Sequence, residues 1–238
     1  MIYRFKKSNM LGFRESLIKK KESGKIPVIV DFKCISPGEG RLIEEKDAVR
    51  LAREIEKAGA PAISVVTEPK DFGGSLEMLE AVVGSVGIPV LRKDFIKTKD
   101  AIDESIRCGA MSVLLMCSVM SAEEMKICYD YALERGIEPL VETHTDAEVE
   151  FAASLGAKLM GINNRDILQL EKDGGTVSTT MGLADKKPAG AFLISESGIL
   201  TPNDVRRAVD SGADAALVGT AIWKAEDPVS YYKSMMNA

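Results

Sequence analysis

The chain has 238 residues, of which 45% are hydrophobic, 28% are charged and 5% are aromatic. A chain of this length and composition can bury a large core, so it is not an intrinsically disordered protein. Its 31 Lys and Arg and 36 Asp and Glu residues give a net charge of −5, which argues against nucleic acid or an anionic membrane surface as a partner.

The cysteines and the N-terminal residues predict a cytoplasmic protein. The four cysteines, Cys34, Cys108, Cys117 and Cys128, show no CxxC spacing, and we expect reduced thiols in a cytoplasmic protein. The first 21 residues are rich in Lys and Arg and lack the apolar core of a signal peptide. No apolar run is long enough to predict a membrane span.

In chain order, residues 1–24 predict an extra helical segment before the first strand. Eight short apolar runs follow, each typical of a parallel strand covered on both faces: 27–30, 62–66, 88–91, 112–116, 137–141, 159–162, 191–194 and 215–218. Helical patterns lie between them at 45–58, 76–83, 101–108, 122–135, 146–155 and 202–211. The polar connection 168–187 predicts a short, partly irregular helix. Trp223, Tyr231 and Tyr232 are predicted to pack the last helix.

The strand and helix patterns form one repeated unit. The segments KAGAPAISVV, RCGAMSVLLM, SLGAKLMGIN and DSGADAALVG each read as helix, Gly turn and strand. Five glycines follow helical stretches, where a left-handed cap is expected: Gly59, Gly109, Gly136, Gly156 and Gly212. Eight units without a linker predict one domain over residues 1–238, a closed (β/α)8 TIM barrel. An open doubly wound sheet is the alternative, but it often has a Gly-rich first turn, which is absent here.

Polar residues follow nearly every predicted strand. In a barrel these positions converge on one pocket at the carboxyl ends of the strands. They include Asp31, Lys33, Thr67, Glu68, Lys93, Asp94, Cys117, Glu142, His144, Asn163, Asn164, Arg165, Glu196, Ser197, Gly198, Gly219 and Thr220. The sequence therefore predicts a polar site at this end of the barrel.

Two strand ends predict a phosphate site, and one lysine predicts acid chemistry. The segments SESG and LVGT place small residues after strands seven and eight, where barrels often bind phosphate; the alternative is that these glycines only make tight turns. Lys93 directly follows a buried run and is suited to proton donation. An ion pair with Asp31, Glu142 or Glu196 is the structural alternative. One histidine and no cysteine cluster give no metal-ligand spacing.

The strand ends, taken in order, resemble indole-3-glycerol phosphate synthase. The resemblance runs from about residue 27 to about residue 228 and is carried by FGGSLEMLEAV, IPVLRKDFI, PLVETHT, GINNRD, SESGI and LVGTAI. It implies conversion of 1-(2-carboxyphenylamino)-1-deoxyribulose 5-phosphate to indole-3-glycerol phosphate, with loss of CO2 and water, in tryptophan biosynthesis. The family needs no cofactor for this reaction.

The resemblance also implies roles for individual residues. Lys93 would be the general acid of ring closure, Glu142 would relay protons in dehydration, and Asp31 would be a catalytic carboxylate. Asn163 and Glu196 would position the substrate, with Arg165 supporting the pocket. The phosphate would be held by Lys33, Ser36, Ser197, Gly198, Gly219 and Thr220. Phe95 and Leu115 would pack against the anthranilate ring.

The first strand departs from the family pattern. The family usually has Glu in a segment like EVKKASPS, whereas this chain has DFKCISPGEG, so Asp31 is one methylene shorter. Acidic Glu39 in the same loop is expected to weaken phosphate attraction. Two alternatives follow: a related phosphate-binding barrel isomerase or lyase, and a catalytically weak homologue that retains the pocket. We expect a monomer, because a closed barrel needs no partner to complete its core.

Overall fold

Eight parallel strands close into a barrel. The computed structural model describes residues 10–169 and 175–238. Each strand pairs with the next one along the chain, and the last pairs with the first, which confirms the predicted TIM barrel. The strands are β1 Val28–Phe32, β2 Ile63–Val66, β3 Val90–Lys93, β4 Ser112–Met116, β5 Glu138–Thr143, β6 Leu159–Asn163, β7 Phe192–Glu196 and β8 Ala215–Val218.

Several strands extend further toward the carboxyl end than their apolar runs predict. Lys93 pairs with Val66, and Asn163 pairs with Glu196, so these polar residues belong to the sheet. An apolar run stops where the first polar side chain enters the site, but backbone pairing continues beyond it. Several of the predicted site residues are therefore carried on rigid strands rather than on loops, which favours precise positioning.

The helices surround the barrel. They are α1 Phe13–Glu22, α2 Ala48–Lys57, α3 Leu76–Ser85, α4 Lys99–Arg107, α5 Ala122–Arg135, α6 Asp146–Ser154, α7 Ser178–Leu183, α8 Pro202–Asp210, α9 Thr220–Trp223 and α10 Pro228–Met236. Hydroxyl side chains of the preceding residues cap α3 to α6 and α8. The five glycines predicted to end helices all have positive φ. Within residues 10–169 and 175–238, none of the helices has the length and apolar character required to cross a bilayer.

The extra N-terminal helix closes the amino end of the barrel. Phe13 and Leu17 of α1 are fully buried and pack with interior strand residues such as Ile29 and Leu91. The backbone N–H of Arg14 donates to the Glu138 carboxylate at 2.8 Å. Access to the barrel interior is therefore left to the opposite, carboxyl end.

The polar connection 168–187 and the aromatic residues near the C-terminus agree with the predictions where the structure describes them. Helix α7 and a 3-10 turn at Ala184–Lys186 form the short helix predicted in 168–187, while residues 170–174, like residues 1–9 of the predicted extension, lie outside the described part. Trp223 packs edge-on against Phe32 with ring centroids 4.8 Å apart. Tyr232 is fully buried, as predicted for the last helix.

Candidate functional site

Strand-end side chains bury an unusual amount of charge at the carboxyl end of the barrel. Polar residues there that are less than a tenth exposed include Asp31, Lys33, Lys93, Glu142, Asn163, Asn164 and Glu196. Burying charge is costly unless the groups are paired or hydrogen-bonded, so such a group of residues indicates a site rather than a packing solution.

One cavity at this end is mainly apolar. It spans about 330 Å³, part of which is open to solvent. Its apolar lining residues are Val66, Phe72, Phe95, Leu114, Met116 and Ile167. Its charged lining residues are Asp31, Lys33, Glu68, Lys93 and Asp94. The apolar side chains of this cavity suit the faces of a flat aromatic group.

A second cavity is mainly polar. It spans about 390 Å³, part of which is open to solvent. It is lined by Arg165 and by the predicted phosphate residues Lys33, Ser197, Gly198, Gly219 and Thr220. Asp31 and Lys93 line this cavity as well. The two cavities therefore share Asp31, Lys33 and Lys93 and form one site with an apolar half and a cationic half.

The Asp31 carboxylate is held against the barrel wall. The Ser64 hydroxyl, on the neighbouring strand, donates to Asp31 Oδ1 at 2.6 Å. The Trp223 indole N–H donates to the Asp31 backbone carbonyl at 2.7 Å. A Cβ added to Gly219 would lie only 3.2 Å from the Cβ of Asp31. The carboxylate thus has a fixed orientation, and no pattern in the sequence indicated the part played by Ser64.

A buried arginine braces the loop that follows Lys93. Arg92 donates to Thr67 Oγ1 at 3.0 Å, to Asp94 Oδ2 at 3.1 Å and to Glu104 Oε2 at 3.0 Å. The other oxygen of Asp94 accepts the Phe95 N–H at 2.8 Å. Lys93 and Phe95 therefore stand on either side of a residue that is anchored to the outer layer of the barrel.

The loop after β2 presents Phe72 to the apolar cavity. The Glu68 carboxylate accepts the N–H groups of Lys70, Asp71 and Phe72 at 2.7–3.0 Å. The Lys33 ammonium lies 5.8 Å from the centre of the Phe72 ring, within cation–π range. Phe72 was not predicted as a site residue; an aromatic residue in a Gly-rich turn after a strand was the available signal.

Glu142, Asn163 and Glu196 do not line either of these two cavities. They are buried on β5, β6 and β7 beside them. A Cβ added to Gly161 would lie 2.0 Å from Glu196 Oε1, so the absence of a side chain at 161 makes room for that carboxylate. Asn163 Oδ1 accepts the Arg165 N–H at 3.0 Å, while Asn163 Nδ2 has no hydrogen-bond partner among the described residues.

The prediction for Leu115 needs correction. Leu115 packs between the barrel wall and the helices, with Val113, Met125 and Val141. Leu114 and Met116 face the interior and line the apolar cavity instead. Successive side chains of a strand point to opposite faces, so an error of one residue reverses the face.

Two other predicted binding residues differ in their placement. Phe95 lines the apolar cavity, whereas buried Ser36 lines neither of the two cavities.

The acidic residue in the first loop is paired. Lys224 Nζ donates to Glu39 Oε2 at 2.5 Å, and this hydrogen bond lowers the pKa of Glu39. The loop is folded back by two short antiparallel strands, Ile35–Ser36 and Gly40–Arg41. Part of the negative charge expected to repel a phosphate is thus compensated by Lys224.

Fold and site together define a (β/α)8-barrel enzyme in which a mainly apolar cavity and a cationic cavity meet at Asp31, Lys33 and Lys93. The family model of indole-3-glycerol phosphate synthase matches residues 3–235, and the chain belongs to this family. It is 42% identical to the indole-3-glycerol phosphate synthase of Pyrococcus furiosus over 229 residues, which is 96% of this chain and 98% of the relative. The synthase of Thermococcus kodakarensis is 40% identical, over 91% and 94% of the two chains.

A solved structure shares the fold at low identity. The orotidine 5'-phosphate decarboxylase from Pyrococcus horikoshii OT3 superposes with a TM-score of 0.63 at 15% identity, over 82% of this chain and 93% of that one. At this identity the likeness concerns the barrel alone.

Proposed function

We propose that the chain catalyses the reaction of its family. It would convert 1-(2-carboxyphenylamino)-1-deoxyribulose 5-phosphate to indole-3-glycerol phosphate, with release of CO2 and water, in tryptophan biosynthesis. The observation that supports this is the junction of the two cavities at Asp31, Lys33 and Lys93. The substrate has an aromatic carboxylate at one end and a phosphate at the other, and its reacting carbonyl lies between them.

The charges of the site support this orientation of the substrate. The cationic cavity is lined by Lys33, Lys93 and Arg165 against the single acid Asp31. An excess of positive charge in a partly enclosed cavity favours a phosphate dianion. The apolar half has no such excess, because the carboxylates of Asp31, Glu68 and Asp94 line it together with the two lysines, and its apolar walls suit the ring.

Lys93 is the proposed general acid. Ring closure forms a bond between the ring carbon that bears the carboxylate and the ketose carbonyl carbon. The carbonyl oxygen must then take up a proton, which the Lys93 ammonium at the junction can donate. Departure of CO2 leaves its bonding electrons to restore the aromatic ring. The buried Lys33 ammonium, which lines both cavities, is assigned to phosphate binding.

Dehydration completes the proposed reaction. The new hydroxyl leaves as water after a second proton donation, and the adjacent CH2 group gives up one proton to a base. We assign the proton relay to Glu142 and the positioning of the intermediate to Asn163 and Glu196, which are buried beside the cavities. These assignments rest on family membership and on the placement of the three residues.

The test is a direct assay of the wild-type chain beside Lys93→Ala and the exposed control Lys97→Ala. Indole product formation is followed by fluorescence. We expect wild-type and Lys97→Ala turnover to agree, and Lys93→Ala to lose at least about a hundredfold in kcat, within the range for general acid–base groups. If Lys93→Ala keeps the wild-type rate, Lys93 is not the general acid. A wild-type chain without product would overturn the function.

We also infer that the protein acts as a monomer in the cytoplasm. Pairing of β1 with β8 closes the sheet within one chain, so no second copy is needed to complete it. The four cysteines are free thiols, which suits a reducing compartment. Light scattering on the purified protein tests the oligomeric state; a dimer at micromolar concentration would contradict it.

A further inference from the structure

A buried amide connects the end of β6 to the loop that follows β7. Asn164 is 3% exposed. Its Nδ2 lies 3.0 Å from each of three acceptors, namely Ser195 Oγ, the Glu196 carbonyl and the Ser197 carbonyl. Its Oδ1 accepts both the N–H and the hydroxyl of Thr180 at 2.9 Å. The whole side chain is therefore used to hold other groups, and it lines neither of the two cavities.

The loop that Asn164 holds has an unfavourable backbone conformation. Ser197 has φ of 62° and is the one residue other than glycine, among residues 10–169 and 175–238, with positive φ. A left-handed conformation is costly for a residue with a Cβ and persists only when its surroundings impose it. Gly198 follows with φ of 65°, and a Cβ there would lie 2.7 Å from the Gly175 carbonyl oxygen. The loop is therefore confined on two sides.

Asn164 holds the backbone on both sides of the strained position. Its own N–H donates to the Glu196 carbonyl at 2.8 Å, and its side chain donates to the carbonyls of Glu196 and Ser197. Ser197 and Gly198 line the cationic cavity, as does Arg165, the residue after Asn164. Asn164 thus fixes the position of Arg165 relative to the backbone of the loop that follows β7.

We propose that Asn164 is a positioning residue for phosphate binding, which acts by keeping Ser197 in its left-handed conformation. The proposal rests on the proposed function, because it takes the cationic cavity to be the phosphate site. Asn164 touches no substrate. Its removal lets Ser197 relax to a favourable φ, which turns the backbone of the loop away from the anion.

The test is a double-mutant cycle between positions 164 and 197. Glycine reaches positive φ without steric cost, so Ser197→Gly removes the need for the restraint. The probes are inorganic phosphate and glycerol 3-phosphate, with dissociation constants measured by calorimetry on folded protein. We expect Asn164→Ala to raise both constants at least tenfold when residue 197 is serine, and less than threefold when it is glycine.

Two further measurements separate positioning from general damage. Anthranilate, a probe of the apolar half, should bind Asn164→Ala and wild type equally. In turnover, KM should rise about as much as the phosphate constant, while kcat changes less than threefold. If Asn164→Ala does not fold, Thr180→Val replaces it, because it removes one hydroxyl that donates to Asn164. We expect a smaller loss of phosphate affinity in this variant, with the same dependence on whether residue 197 is serine or glycine.

The outcomes are distinguishable. An equal loss of phosphate affinity with and without the Ser197→Gly substitution, or no loss in either case, overturns the inference and leaves the proposed function standing. A wild-type chain that binds phosphate but forms no product overturns the proposed function, while the cycle still supports the inference if the coupling is found. A wild-type chain that binds neither phosphate probe overturns both.

Discussion

Gly161→Ala tests whether the position of the Glu196 carboxylate matters for catalysis. The added Cβ would lie 2.0 Å from Glu196 Oε1 and 3.0 Å from its Cδ, with Leu140 Cδ1 at 3.6 Å on another side. A Cβ approaches other heavy atoms no closer than about 3 Å, so the oxygen must retreat by about 1 Å. Displacement of a reacting or positioning group by this distance costs about a hundredfold in rate, or about 2.7 kcal/mol in barrier.

The assay compares kcat/KM of Gly161→Ala with wild type and with Gly182→Ala. Position 182 lies in α7, where an added Cβ meets nothing within 4 Å. The control should keep wild-type activity and gain about 0.5–1 kcal/mol in stability, because alanine is the better helix former. A folded Gly161→Ala whose kcat/KM lies within threefold of wild type would refute the reasoning, since it would mean that Glu196 tolerates the displacement.

Arg92, Cys117 and Asp31 provide further tests. Arg92→Met is expected to cost about 3–5 kcal/mol of unfolding free energy, because it leaves Asp94 without its buried charged partner. Urea unfolding measures this loss; the control Arg50→Met, which removes an exposed ion pair, should lose far less, and equal losses in the two variants would contradict the prediction. Burial, with smaller contributions from Glu148 and Glu142, raises the pKa of Cys117 to about 12, so native Cys117 should resist iodoacetamide at pH 8, and rapid alkylation there would be inconsistent with the raised value. An unfolded thiol ionises near 9, so the stability from this group is complete below pH 9 and declines as the pH rises toward 12. Asp31→Glu is expected to lower kcat/KM about tenfold or more, because the longer side chain loses its fit to Ser64; higher activity than wild type would refute this.

The strand ends could be predicted because they depend on local pattern. Each apolar run stops where a polar residue enters the site, so Asp31, Lys93 and Arg165 were found from order along the chain alone. The pattern could not say which face a residue in the middle of an all-apolar strand occupies, and Leu115 was therefore taken in place of Leu114 and Met116. Register is fixed by pairing with neighbouring strands, which one sequence does not reveal.

Long-range contacts account for most of what remained hidden. The hydroxyl of Ser64 reaches Asp31 across 33 positions of the chain, and Trp223 reaches the same residue across 192. Nothing near Ser64 in the sequence marks it as different from other strand serines. Similarly, Asn164 was recognised as a polar strand end, but its hold on Ser197 depends on a φ value that the sequence does not display.

Asp31 shows how the departure from the family pattern is accommodated. Its carboxylate is drawn to the wall by Ser64, and its main chain is fixed by Trp223. Asp31 lines both cavities together with Lys33 and Lys93, so the shorter carboxylate remains at the junction. The missing methylene therefore changes the reach of the carboxylate while its orientation stays fixed, as expected for a site built around aspartate.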